Sequence, residues 1–175
     1  DKYYTVRDDG RIYEGTVGSA TTTAIPGQWA RPTGSGNDAT TGTVYNWAVN
    51  GLGIVQGGNV AYAFGRYTRS NSGVQSSNPN QFVQVLKYDA STGAFTHVGG
   101  QLQVNTPANG KAFFARMVAG AVDPISGNYY FGGYGADSGN DSQFRLYKFD
   151  VSTNTTSYVG WIQPDDVGVN DAGNG

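Results

Sequence analysis

The feature that most constrains the fold is an internal repeat. Residues 85–99 read VLKYDASTGAFTHVG, residues 146–160 read LYKFDVSTNTTSYVG, and the two segments align without a gap. Upstream of each copy lies a second match, between residues 53–67 and residues 120–134. A pattern that recurs at this spacing indicates similar structural units that bury their apolar faces against one another.

Each unit resolves into four short strands separated by turn signals. The first unit has an apolar strand at Gly53 to Val55, a Gly-Asn turn, and then the strands YAFGRY, VQVLKYD and one that ends at HVGG. The second unit keeps this order and begins with a strand at Ala119 to Val122. Four antiparallel strands that recur about every 60 to 70 residues predict an all-β fold, a β-propeller-like array of four-stranded antiparallel blades. A β-sandwich is the alternative.

The N-terminal segment YYTVRDDGRIYEG predicts a partial blade that lacks its first strand. We therefore expect a single β domain or domain fragment of about two and a half blades. The predicted domain covers residues 1–175, and within it we expect a partial blade at 1–28, blades at 45–105 and 112–163, and a linker at 164–175.

A closed propeller needs at least about four blades, so this chain is expected to be part of a larger one. Its open sheet edges are predicted near Tyr3 to Val6 and near Val169. We expect apolar faces to be exposed at both ends unless the rest of a parent chain or neighbouring subunits cover them.

Composition restricts the function classes. Helix-favouring residues are scarce beside 27 Gly, 12 Tyr and 8 Phe, so strand should far exceed helix. A net charge of −2 argues against a nucleic-acid partner. The absence of cysteine excludes disulfides and thiolate metal sites, and no apolar run suggests membrane insertion. The abundance of Asn, Ser, Thr and Gly over Lys and Glu is typical of extracellular proteins, at the cell surface or secreted.

Three phrases carry a resemblance to a known family: YYTVRDDGRIYEG, LKYDASTGAFTHVG and AVDPISGNYYFGG. They resemble the propeller-like domain of uncharacterised function found near the mature N-terminus of large cell-surface proteins of Gram-positive bacteria, particularly actinobacteria. The resemblance covers residues 3–175. It implies a head carried on stalk repeats that end in a wall-sorting signal, and an adhesin-like role, and it supplies no catalytic residues.

Candidate catalytic side chains are few. His97 is the only histidine and Glu14 the only glutamate, and most aspartates lie in turn signals. Asp89 and Asp150 precede Ser-Thr turns, where we expect them to accept hydrogen bonds from backbone amides two or three residues on. His97 is expected to have a structural or exposed position. The sequence therefore predicts a protein that is not an enzyme.

One oxygen-rich loop is a candidate calcium site, and no other cofactor is predicted. The segment ADSGNDSQ brings together three potential ligands, Asp137, Asn140 and Asp141. Their spacing is not that of an EF-hand loop, and a solvated turn is the alternative interpretation.

The repeat also predicts equivalent positions in the two units. Lys87 and Lys148 should occupy corresponding places on corresponding strands, as should Phe64 and Phe131. Both phenyl rings should be buried between sheets.

The leading function hypothesis is an extracellular binding or adhesion head that presents variable loops on a rigid β scaffold to a host or surface protein or glycan. Tyrosine and arginine at strand-to-loop junctions are candidate ligand-binding residues, namely Arg66, Tyr67, Arg69 and Tyr134. The alternative is a structural subunit or tip segment of a surface assembly. A polysaccharide-acting propeller enzyme ranks last because no acid/base pair stands out.

Overall fold

The computed structural model describes residues 1–33, 42–70, 80–104, 116–136 and 142–162. Within these ranges the chain is all-β and contains no helix, in agreement with the composition. It follows that the described ranges include no helix capable of spanning a membrane.

The described residues form eleven strands, which are numbered in chain order. Their bounds are β1 (Lys2–Val6), β2 (Ile12–Thr16), β3 (Thr22–Ala24), β4 (Thr43–Ile54), β5 (Val60–Ser70), β6 (Asn80–Asp89), β7 (Ala94–Gln103), β8 (Arg116–Val122), β9 (Tyr129–Ala136), β10 (Ser142–Asp150) and β11 (Thr155–Ile162).

The strands form three antiparallel sheets in which each strand pairs with its neighbour in sequence. Sheet A has the order β1-β2-β3, sheet B the order β4-β5-β6-β7, and sheet C the order β8-β9-β10-β11. The two four-stranded antiparallel units that the repeat predicts are therefore present, and sheet A has three strands.

Strand β4 is longer than the sequence pattern indicates. It covers Thr43–Ile54, whereas the apolar pattern predicts a strand only at Gly53 to Val55. Its pairing with β5 is irregular between Tyr45 and Ala48 and again before Gly53. These bulges interrupt the alternation of apolar and polar residues by which a strand is recognised in a sequence.

The repeated hairpin has the same register next to its turn in both sheets. In sheet B, Lys87 pairs with Thr96, and in sheet C, Lys148 pairs with Ser157. The predicted equivalence of the two lysines is confirmed.

The turn of each hairpin is closed by its aspartate. Asp89 Oδ1 accepts a hydrogen bond from the Ser91 amide at 3.0 Å, and Asp150 Oδ1 accepts one from the Ser152 amide at 3.0 Å. The turn-forming role predicted for both aspartates is confirmed. These contacts lie within four residues, so the same sequence produces the same turn in both units.

Sheet B is buried on both of its faces. One face packs against sheet C, with a core that includes Tyr62, Phe64, Val83, Val85, Tyr129, Phe131, Tyr147 and Phe149. The other face packs against sheet A and the residues that follow it, with a core that includes Ile12, Trp29, Val49, Ala63 and Leu86. The three sheets therefore lie in a stack with sheet B in the middle.

Phe64 and Phe131 do not occupy equivalent positions, and that prediction was wrong. Phe64 pairs with Val85, whereas Phe131 pairs with Tyr147, which is the counterpart of Leu86. The pairing of β9 with β10 is thus shifted by one residue relative to that of β5 with β6. A shift of one residue moves a side chain to the opposite face of its sheet.

The stacking of the sheets explains this shift. Sheet B meets sheet C with the face that carries Val85, whereas sheet C meets sheet B with the face that carries Tyr147. Two phenyl rings at equivalent positions would therefore point in the same direction, and only one would reach the interface. With the shift, Phe64 and Phe131 are 0% and 1% exposed and their rings stack with centroids 5.1 Å apart. Their predicted burial between sheets is confirmed.

Apolar side chains are exposed at both ends of the described stack, as the count of blades predicts. Tyr3 and Val17 are exposed at sheet A, and Val159 and Trp161 are exposed at sheet C. Strands β1 and β11 are edge strands of the described sheets. The edge predicted near Val169 lies outside the described residues.

Candidate functional site

A cleft lies between sheet B and the segment of residues 30–33, which follows sheet A. Its volume is about 460 Å³, within the usual range of small-ligand sites. The strands of sheet B contribute the opposite wall, formed by Tyr67, Arg69, Gln84, His97 and Gln101.

The alternation of strand β5 places two of these side chains together. Tyr67 and Arg69 are two residues apart and therefore share one face of sheet B. Phe82 of β6 pairs with Tyr67, and the two rings stack with centroids 5.7 Å apart. The Arg69 Cζ atom lies 5.2 Å from the Tyr67 ring centroid and 6.0 Å from that of Phe82. The two rings hold the guanidinium by cation-π contacts.

Arg69 is a buried cation bonded to neutral oxygens. It is 6% exposed. Its Nη1 donates to the carbonyl oxygens of Gly42 at 2.8 Å and Thr33 at 3.4 Å, and its Nε donates to Gln101 Oε1 at 3.1 Å. Among the described residues no carboxylate forms an ion pair with it. A buried guanidinium without a counter-charge is unfavourable, so this position favours a nearby anion.

Gln101 links the two side chains of β5. Its Oε1 accepts a hydrogen bond from the Tyr67 hydroxyl at 2.9 Å in addition to the one from Arg69. Burial raises the pKa of the Tyr67 phenol, and the adjacent Arg69 acts in the opposite direction. The phenol is therefore neutral at physiological pH and remains a hydrogen-bond donor.

A glycine bulge determines which residue of β7 faces the cleft. The pairing of β6 with β7 skips Gly99 and Gly100, so that Gln101 lies opposite Gln84. Both glycines have positive φ angles, of 71° and 67°, which glycine adopts without strain. The Gln84 side chain is fixed in turn, because its Nε2 donates to the Val98 carbonyl at 2.7 Å.

The segment of residues 30–33 is anchored to sheet B through Trp29, which precedes it, and through Ala30, its first residue. Trp29 is buried, its indole Nε1 donates to the Lys87 carbonyl at 2.9 Å, and its ring packs edge-on against Phe95. His97 Nε2 donates to the Ala30 carbonyl at 2.8 Å. The side chain of His97 is exposed and supports this wall, so the structural or exposed position predicted for it is confirmed.

The described lining of the cleft is electropositive. It includes two guanidinium groups, those of Arg31 and Arg69, and it contains no aspartate or glutamate. The chain as a whole carries a net charge of −2. A concave site lined by one sign of charge attracts groups of the opposite sign.

The structure brings together two of the four side chains singled out by the sequence. Tyr67 and Arg69 line the cleft, whereas Arg66 shares the opposite face of β5 with Phe64 and lies outside it. Tyr134 lies on β9, and its side chain is outside the described part of the structure. The predicted calcium ligands Asp137, Asn140 and Asp141 also lie outside the described residues.

Sequence reasoning singled out only Tyr67 and Arg69 of the cleft, and the residues that it missed include Arg31, Gln84 and Gln101. The two glutamines lie on strands, where an isolated polar residue is usually assigned to a solvent-exposed face. Gln84 is nevertheless 7% exposed in the middle of the otherwise apolar strand VQVL. A buried polar residue within an apolar strand was the available signal. Nothing in the local sequence of Arg31 distinguishes it.

A smaller recess of about 120 Å³ lies between sheets A and B and includes Glu14. The Glu14 carboxylate is bonded to Lys2 Nζ at 2.7 Å and to the Tyr4 hydroxyl at 2.8 Å. The hydrogen bonds from Lys2 and then Tyr4 hold its pKa below the ordinary value. Glu14 is therefore ionised at neutral pH and is unsuited to act there as a general acid.

Within the described ranges, no three His, Cys, Asp or Glu side chains are grouped in a way that could bind a metal ion. Comparison of the chain with protein-family models and with curated protein sequences found no match.

Proposed function

We propose that this chain is a binding module, an extracellular adhesion head of a bacterial cell-surface protein, and that its ligand binds in the cleft between residues 30–33 and sheet B. The observation that carries the proposal is the buried Arg69, fixed by three neutral oxygens at the wall of an open cleft. A side chain held in this way loses little conformational entropy when it binds a ligand.

The proposed scaffold is a β-propeller-like array to which further blades belong. The burial of sheet B on both faces supports this proposal over a sandwich, in which each sheet has one solvated face. Sheets B and C also meet through non-equivalent faces, the Val85 face of sheet B and the Tyr147 face of sheet C. This packing supports the propeller-like array, because each blade of a propeller packs one face on the blade before it and the other face on the blade after it.

Arg69 and Arg66 provide a matched pair of variants for testing the proposed function. The 175-residue chain is applied to an array of neutral and acidic glycans and to immobilised extracellular host proteins. Arg69→Gln should reduce binding to the recognised ligand, whereas Arg66→Gln, on the other face of the same strand, should retain it. Circular dichroism establishes that both variants are folded.

Two results would contradict the proposal. Equal binding by wild type and Arg69→Gln would place the ligand elsewhere, and release of reducing ends from a polysaccharide would make the chain an enzyme.

The second candidate is a structural subunit of a surface assembly, favoured by the exposure of Val159 and Trp161 on the edge strand β11. Strand addition at such an edge joins β subunits. Sedimentation velocity over a range of concentrations distinguishes the candidates, because assembly predicts ordered polymers and the binding head predicts a monomer.

A further inference from the structure

We propose that the cleft recognises the carboxylate of an acidic sugar, and that the Gln101 amide oxygen occupies the position which a ligand carboxylate oxygen takes. This inference rests on the proposed function and specifies its ligand class. The first argument is charge. The described lining combines Arg31 and Arg69 with hydrogen-bonding side chains and lacks a carboxylate. An anionic ligand supplies the missing counter-charge and accepts charge-assisted hydrogen bonds, which are stronger than those of neutral acceptors.

The second argument is the geometry around Gln101. One oxygen, Gln101 Oε1, accepts from both the Tyr67 hydroxyl at 2.9 Å and Arg69 Nε at 3.1 Å. Two converging donors, one of them charged, form a site that binds a carboxylate oxygen more strongly than an amide oxygen. Gln101 belongs to the edge strand β7 and is exposed, so its side chain can turn away while Tyr67 and Arg69 stay in place.

The third argument concerns the remainder of the ligand. The rest of the wall carries the amide of Gln84, the hydroxyl of Thr33 and the imidazole of His97. Amides and hydroxyls both donate and accept hydrogen bonds, as sugar hydroxyl groups do. A small polyhydroxylated molecule that bears one carboxylate therefore matches the cleft better than an apolar acid does.

The decisive variant is Gln101→Glu, because it places a carboxylate of the same shape between the same two donors. The built-in carboxylate should pair with Arg69 and raise the melting temperature. It should also compete with the ligand, so that the affinity for glucuronate falls at least about tenfold. Gln56→Glu adds the same charge in an exposed turn and serves as the control. Gln101→Ala removes the amide oxygen that the ligand must displace, so the affinity for glucuronate should rise.

The measurement is isothermal titration of wild type and the three glutamine variants with sodium glucuronate, glucose, acetate and sulfate. Wild type should bind glucuronate more tightly than each of the other three probes. If glucose binds as tightly as glucuronate, the ligand does not need a carboxylate. If acetate binds as tightly as glucuronate, the ligand does not need to be a sugar. Sulfate that binds as tightly as glucuronate would overturn the preference for a carboxylate over other anions.

The outcomes separate this inference from the proposed function. If Gln101→Glu binds glucuronate like wild type, the inference fails. If Arg69→Gln abolishes attachment to a glycan or host protein while glucuronate does not bind, the inference fails and the binding head stands. If neither Gln101→Glu nor Arg69→Gln changes the attachment of the chain to its glycan or host protein, the cleft is not the ligand site and the proposed function fails as well.

Discussion

A single methyl group at Gly120 should separate sheets B and C. Gly120 lies on β8, and a Cβ added there would overlap the Tyr129 hydroxyl and the Gly51 carbonyl oxygen. The Tyr129 hydroxyl donates a hydrogen bond to that same carbonyl oxygen. Tyr129 is 0% exposed, and its ring stacks on Tyr62 at 5.8 Å and on Phe131 at 5.4 Å. Neither the ring nor the backbone of β4 can yield, so Gly120→Ala must move the sheets apart.

The expected destabilisation follows from three contributions. Overpacking of a close-packed interface costs about 1 to 3 kcal/mol, and loss of the Tyr129 hydrogen bond adds about 1 kcal/mol. Replacement of glycine by alanine in a strand returns about 0.5 to 1 kcal/mol because the unfolded chain becomes less flexible. The free energy of unfolding should therefore fall by about 1 to 3.5 kcal/mol. The melting temperature should fall by about 2 to 14 °C for a chain of this size.

Gly160→Ala is the matched control on β11 of the same sheet. A Cβ at Gly160 meets no atom within 4 Å, so its free energy of unfolding should remain within about 1 kcal/mol of wild type. Urea unfolding followed by circular dichroism measures both variants. In a Tyr129→Phe background the effect of Gly120→Ala should be smaller, because the overlap with the Tyr129 hydroxyl is absent and no hydrogen bond from it remains to be lost. Equal stability of the Gly120→Ala and Gly160→Ala variants would refute the close contact between the sheets.

Three further substitutions test other contacts. Trp29→Phe removes the indole donor to Lys87 and should lower the free energy of unfolding by about 1 to 2 kcal/mol in urea titrations; an unchanged midpoint would contradict this anchor. The hydrogen bond from the Ser152 hydroxyl, followed by Lys148, lowers the pKa of Asp150. The ionised Asp150 carboxylate therefore stabilises the fold fully above the pKa of about 4 that it has in the unfolded chain, and this stabilisation is lost as the pH falls below that value. The melting temperature of Asp150→Asn should consequently fall less steeply between pH 5 and about 2 than that of wild type, and parallel curves would refute this. Asn154 has a φ of 52°, and its Oδ1 accepts a hydrogen bond from the Gly99 amide at 3.1 Å. Asn154→Ala and Asn154→Gly both lose that bond, but only alanine is strained at this φ, so Asn154→Ala should be less stable than Asn154→Gly by about 1 kcal/mol in thermal melts; equal melting temperatures would contradict the strain.

The amino-acid sequence by itself determined what depends on short-range interactions. The all-β character follows from the scarcity of helix-favouring residues, and the hairpins around Lys87 and Lys148 follow from turns closed within four residues by Asp89 and Asp150. The same alternation rule that defines the strands also placed Tyr67 and Arg69 on one face. These features need no information about distant parts of the chain.

Only the tertiary structure decided how the sheets meet and where the cleft lies. The shift that carries Phe131 to the opposite face depends on which face of sheet C meets sheet B, and no local pattern encodes that choice. The cleft likewise joins Arg69 to the carbonyl of Thr33, 36 residues away in the chain. Contacts over such separations form only when whole sheets pack, because their energy comes from burial shared between distant segments rather than from the residues that the contact joins.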